Sequence, residues 1–363
     1  MVKWFFDSGR HGVQRFETFK LPGTPSRHRA GASTAVIQPR TPSNRIHLVF
    51  RVVVVAALVA TLVQITFGGV VRATGSGLGC PDWPLCHGRI IPPFETDTLI
   101  EWSHRLAGSA LGVLTIATAA LAWVFYRRDF RIVATALIGL GLVLAAGGLG
   151  GAVVLTELVW WIRLIHLTIA EAVVACMIVV LVAGWRKSEA NVGREPKVRE
   201  TDRFNRLLLV ALTGTMVLIL SGSYMVGYGA GSSCATWPLC RGELFPDGTP
   251  YAIHMGHRLL VAIVGVIIVA TGISAWLRRK HRPELGWIVA ILLIVFAAQV
   301  MAGAGTVWSG FATQMKAMHL GLATLVWTAL VFLAAMVYLP QRFDFRLLEF
   351  GSRRATRYER LTP

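Results

Sequence analysis

Residues 52–71 and 132–156 run without one charged side chain, and nothing else in the sequence narrows the choice of fold so far. A helix rises 1.5 Å per residue, so about 20 apolar residues cross roughly 30 Å of hydrocarbon. In lipid the backbone must satisfy its own polar groups, which leaves helices or closed barrels. These runs are too long for barrel strands. The pattern predicts eight spanning helices, at about 48–71, 98–126, 131–155, 162–185, 205–228, 251–277, 285–308 and 314–339. The expected fold class is an all-α integral membrane protein, built as two pseudo-symmetric four-helix bundles.

Charged residues make up only 15% of the chain, yet its net charge is +17. Such a balance can mark a nucleic-acid binder, but the distribution excludes that reading. Lys and Arg crowd the two ends and the loops at 127–131, 186–206 and 278–282. The opposite side keeps only Arg72, Arg89, Arg105, Arg163, Arg241, Arg258 and Lys316. Positive loops mark the cytoplasmic side, so both termini are expected there, with some attraction to anionic lipid. The divisions expected are a disordered basic tail at 1–47, a first bundle at 48–187, a linker at 188–204, a second bundle at 205–340 and a tail at 341–363.

The chain repeats itself. Cys80-Pro-Asp-Trp-Pro-Leu-Cys86 returns as Cys234-Ala-Thr-Trp-Pro-Leu-Cys240, His104-Arg105-Leu106 as His257-Arg258-Leu259, and His166 as His319. The offset is 153 or 154 throughout, and the two histidines of each half lie 62 residues apart. Each half has an even number of spans, so the copies are parallel repeats about an axis along the membrane normal.

All four histidines fall near the outer ends of even-numbered helices. Helices of one direction bring the pair in each half to similar depth, facing across the bundle. A lone membrane histidine is ordinarily a hydrogen-bonded core residue. Two pairs at one spacing favour metal ligation, and opposed imidazoles suit the axial positions of heme iron. Zinc would need further ligands. Small residues at Gly68-Gly69, Gly147-Gly148-Leu149-Gly150-Gly151, Ser221-Gly222-Ser223 and Gly303-Ala304-Gly305 either pack helices closely or leave room for a flat ring. Arg105 and Arg258 would meet heme carboxylates or anchor the interface.

Cys80 and Cys86 share the first outer loop, and Cys234 and Cys240 the third. On the oxidising side these pairs form disulfides, read either as staples or as redox-active bonds. Cys176 lies mid-helix as inert core. The copies differ at Glu101, which stands one turn before His104 where the second copy has His254. A carboxylate there can take a proton or steady positive charge. Arg72 is matched by Val226 and Glu171 by Thr324, so the first half looks chemical and the second a plain heme holder.

Taken together, Gly68-Gly69-Val-Val-Arg72, the two Cys-bounded loops, Glu101-Trp-Ser-His104-Arg105, His166-Leu167, His257-Arg258 and His319-Leu320 resemble the heme A synthase family over about 45–340. The long basic amino-terminal tail departs from it. The resemblance implies a permanent heme b held by His257 and His319. It implies heme O as substrate around His104 and His166, with Glu101 at the reacting edge and Arg72, Arg105 and Arg258 as heme-binding residues. The C8 methyl of heme O would become a formyl group, through an alcohol and a geminal diol. One of His104 and His166 would bind weakly, since the substrate must leave. The implied setting is the plasma membrane, with heme O synthase and the terminal oxidase or its assembly factors as partners; homo-oligomers remain open. A diheme cytochrome that only passes electrons is the competing reading.

Overall fold

The structure is a computed structural model, and it describes residues 44–189, 202–280 and 282–339. Among these the regular elements are eight helices: α1 (Asn44–Thr74), α2 (Thr96–Tyr126), α3 (Phe130–Leu155), α4 (Trp160–Glu189), α5 (Asp202–Gly227), α6 (Thr249–Trp276), α7 (Glu284–Trp308) and α8 (Thr313–Tyr338). All eight are long and apolar enough to cross a membrane. They match the expected spans, each reaching one to four residues further at its start. The protein is thus an all-α, multi-pass membrane protein.

The longer start of α1 has a local cause. The His47 ring is hydrogen-bonded to the Tyr126 hydroxyl at 2.7 Å, and Phe50 packs on the Tyr126 ring. These contacts hold the first turn against the end of α2. Residues 44–47 are therefore helical rather than tail. The rest of the expected tail at 1–47, most of the linker at 188–204 and the tail at 341–363 lie outside the described residues.

Helices α1 to α4 pack as a ring, each on its neighbours and α4 back on α1; α5 to α8 do the same. Val52, Val55, Val59 and Val63 leave one apolar stripe of α1 exposed, as a lipid-facing surface requires. The two rings join where α8 meets α1 and α4, and where α4 meets α5. Glycines permit this approach. A Cβ on Gly69 would stand 3.0 Å from Leu320, and one on Gly321 2.8 Å from Thr66 Oγ1. Between the rings lies an apolar cluster including Ile65, Val174, Ile178, Ile219, Trp327 and Val331.

Candidate functional site

The four histidines come from corresponding places. His104 and His257 are the ninth residues of α2 and α6, and His166 and His319 the seventh of α4 and α8. All four thus stand about 10 Å from the helix starts, on the side of the long loops. Each imidazole lies against a glycine of the preceding helix. A Cβ would stand 3.2 Å from His104 Cε1 at Gly68, 3.6 Å from His166 Cε1 at Gly150, 3.2 Å from His257 Cε1 at Gly222 and 3.0 Å from His319 Cε1 at Gly303. These glycines seat the rings as well as making room: Gly147 and Gly148 face open space, while Gly69 and Gly151 pack on Leu320 and Trp83.

Within each bundle the two imidazoles are in electrostatic reach of one another, His104 with His166 and His257 with His319. Buried polar atoms without partners gather around them: Nδ1 of His104, His166 and His319, and Oε1 of Gln64 and Gln299. Such atoms are costly unless a ligand or water meets them. Among the described residues no group of three or more His, Cys, Asp or Glu side chains converges. Two imidazoles per bundle is the protein donor set for an iron whose other ligands come from a porphyrin, so the residues fit heme.

Glu101 is 3% exposed and lies at the floor of the first loop. Its Oε2 accepts the Cys80 N–H at 2.9 Å, and its Oε1 accepts from Arg105 Nη2 at 2.6 Å and Nε at 3.2 Å. Arg105 also donates to the carbonyls of Asp82, Leu85 and Cys80 at 2.7 or 2.8 Å. That accounts for all five guanidinium N–H donors. Arg105 thus clamps the loop, and every N–H group that it could offer to a heme carboxylate is engaged there.

The second copy repeats the clamp with other chemistry. Arg258 donates to the carbonyls of Thr236, Pro238, Leu239 and Cys234, and to His254 Nε2 at 3.3 Å. His254 Nδ1–H donates to the Ala230 carbonyl at 3.1 Å. Each clamp holds a disulfide, Cys80–Cys86 and Cys234–Cys240, whose sulfurs are shielded. Such burial suits staples.

Asp82 closes the first loop by accepting the amides of His87 at 2.6 Å and Gly88 at 2.7 Å. The Gly88 amide foremost, with the His87 amide, holds the Asp82 carboxyl below its usual range, against the opposing effect of desolvation. Thr236 stands in the same place in the second loop and accepts the Arg241 amide at 2.9 Å.

Arg72 is elsewhere. It lines a crevice at the junction of the bundles with Arg163, Trp160, Ser223, Val226 and Gly227. It lies within electrostatic reach of Arg163 and of His319 in the other bundle. Val226, its repeat counterpart, lines the same crevice. Deeper in the junction Glu171 meets Thr324, again its counterpart. Equivalent residues that meet are consistent with a pseudo-two-fold arrangement.

Gln64, Gln299 and Ser221 were not legible as partners of the histidines. Ser221 was visible only as one small residue in a cluster. Their amide and hydroxyl groups lie beside His104, His319 and His257 respectively.

The chain is 25% identical over 297 residues to the heme A synthase of Alkalihalophilus pseudofirmus, covering 81% of this chain and 99% of that protein. It is 28% identical over 290 residues to the heme A synthase of Exiguobacterium sibiricum, covering 79% and 94%. With the heme A synthase of Symbiobacterium thermophilum it shares 29% over 289 residues, covering 78% and 94%. The sequence model of the COX15-CtaA family, described as cytochrome oxidase assembly protein, matches residues 51–331 and again 249–358. Eight spans and a duplicated histidine pair thus stand in a chain matched along most of its length, and it belongs to the COX15-CtaA family of cytochrome oxidase assembly proteins.

Proposed function

We propose that this chain is a heme A synthase, an oxidoreductase that converts the C8 methyl of heme O to a formyl group. The observation that carries the reading is the duplicated pair of glycine-seated imidazoles. It provides two bis-histidine sites in one chain, one for a resident heme and one for a substrate heme. His257 and His319 would hold heme b, which when bound supplies one-electron chemistry. His104 and His166 would orient heme O in the first bundle.

Glu101 is the chemical difference between the bundles. Its carboxylate, fixed by Arg105 and the Cys80 amide, would accept a proton or face positive charge on the substrate. Arg105 and Arg258 hold the loops that roof the two sites. Arg72, at the junction, would meet a carboxylate of a bound heme. The charge distribution supports a plasma-membrane protein with both termini cytoplasmic. A heme O synthase would supply the substrate, and the terminal oxidase or its assembly factors would take the product.

The test is co-expression with a source of heme O, followed by pigment extraction, chromatography and mass measurement. A formyl-bearing heme is expected. Retained heme b with unmodified heme O would instead show a diheme cytochrome that only passes electrons.

A further inference from the structure

The bundles differ in how they hold the first histidine of each pair. Ser221 Oγ donates its one proton to the Leu218 carbonyl at 2.7 Å. The same oxygen lies 2.8 Å from His257 Nδ1, so it accepts there and His257 Nδ1 carries the proton. That contact fixes the ring's tautomer and leaves the Nε2 lone pair free for a metal. Groups that bond the far nitrogen of a ligating histidine orient the ring and strengthen it as a donor.

In α1 the same two positions carry the opposite chemistry. Ser221 corresponds to Phe67, which meets the His104 ring edge-on at 5.9 Å and offers no acceptor. His104 Nδ1 is buried without a partner. Leu218 corresponds to Gln64, whose amide donates to the His104 carbonyl at 3.0 Å and lies 3.3 Å from His104 Nε2. With its proton on Nδ1, His104 accepts this second amide N–H on Nε2, the nitrogen a metal would use.

We propose that residues 67 and 64 of α1, against 221 and 218 of α5, set heme retention in the two bundles. Ser221 positions His257 as a permanent ligand. Phe67 and Gln64 make His104 the exchangeable ligand of the first bundle. His319 also has an unpartnered Nδ1 and the Gln299 amide 3.4 Å from its Nε2, so retention in the second bundle depends on His257 and its Ser221. The inference rests on the proposed function for what the imidazoles hold, and it names which histidine of the first bundle releases its substrate.

The experiment uses the full chain purified with its bound heme. It follows heme transfer to excess apomyoglobin and records the low-temperature electron paramagnetic resonance of the ferric protein. Ser221→Ala should release heme b about 10–100-fold faster, the usual effect of removing such a partner, with altered g values. Ser221→Thr, which keeps the hydroxyl, should restore both. The reciprocal double variant Phe67→Ser with Gln64→Leu should make the first bundle retain added heme b about 10–100-fold longer. Wild-type release and spectrum in Ser221→Ala would overturn the role of Ser221. Unchanged retention in the reciprocal variant would overturn the role of α1, even if Ser221→Ala failed to fold. His257→Ala separates the two levels. If it keeps heme with an unaltered spectrum, the heme assignment itself fails; if it loses heme while Ser221→Ala behaves as wild type, only this inference fails.

Discussion

Thr324 donates a 2.7 Å hydrogen bond to Oε1 of Glu171, the residue one repeat of 153 positions before it. Two places that the repeat makes equivalent are thus in contact. The Trp327 indole N–H adds a bond to the Glu171 carbonyl at 3.0 Å. These links tie α4 to α8 about five residues inward of His166 and His319. The junction between the rings is otherwise apolar at this depth, and Glu171 is fully buried in it.

Thr324→Val leaves that buried carboxyl without its donor. The expected cost is about 1–3 kcal/mol, read as a lower unfolding midpoint in detergent. Adding Glu171→Leu should recover most of the loss, because removing both polar partners is far milder than orphaning one. A double variant as unstable as the single one would refute this account of the junction.

The glycines under the imidazoles should respond in order of clearance. At Gly68, Gly222 and Gly303 an added Cβ would stand 3.0–3.2 Å from an imidazole carbon, but 3.6 Å at Gly150. Alanine at Gly222 or Gly303 should shift the histidine ring and lower heme bound per protein, measured by pyridine hemochrome. Alanine at Gly68 should weaken heme O binding by the first bundle, measured by titration. Gly150→Ala should bind as wild type does.

Glu101 has two roles that substitution can part. Glu101→Ala removes one side of a shielded charge pair with Arg105, at an expected cost of up to about 3–5 kcal/mol, and should also stall heme A output. Glu101→His copies the His254–Arg258 arrangement of the second loop. It should keep the loop's amide protection yet still abolish product. Normal heme A output from Glu101→His would remove the carboxylate from the chemistry.

The turn closed by Asp82 in the first loop should loosen in acid, while the corresponding turn closed by Thr236 in the second has no such group to titrate. Asp82 has its carboxyl held below the usual range, chiefly by the Gly88 amide. Its contribution is present above the unfolded value, about pH 3.9, and is lost as pH falls through the lower folded value. Thr236 does not titrate. Hydrogen-exchange protection, corrected for intrinsic rates, should fall in acid at His87 and Gly88 but not at Arg241. Asp82→Asn should remove the difference.

The spans, the repeat and the histidine positions were legible because hydrocarbon thickness and a fixed offset leave few alternatives. Asn44–His47 was missed because a polar start looks like tail until the Tyr126 hydroxyl is found beside His47. The loop clamp made by Arg105 was hidden for a similar reason. A guanidinium one residue after a ligand candidate suits a heme carboxylate, and only the fold reveals the four acceptors that take its five N–H groups. Ser221 and Gln64 were invisible as partners because their significance lies in which nitrogen of a ring they touch. Residue type does not encode that.

The fit of Gly69 and Gly321 between α1 and α8 has a consequence for biosynthesis. Helix α1, the first of the eight, finds a principal neighbour in α8, the last of them. Until α8 emerges, that flank of α1 must face lipid or another protein. The junction that joins the bundles is therefore completed only once α8 has inserted, so a ribosome stalled before α8 leaves a first bundle whose docking surface is still bare.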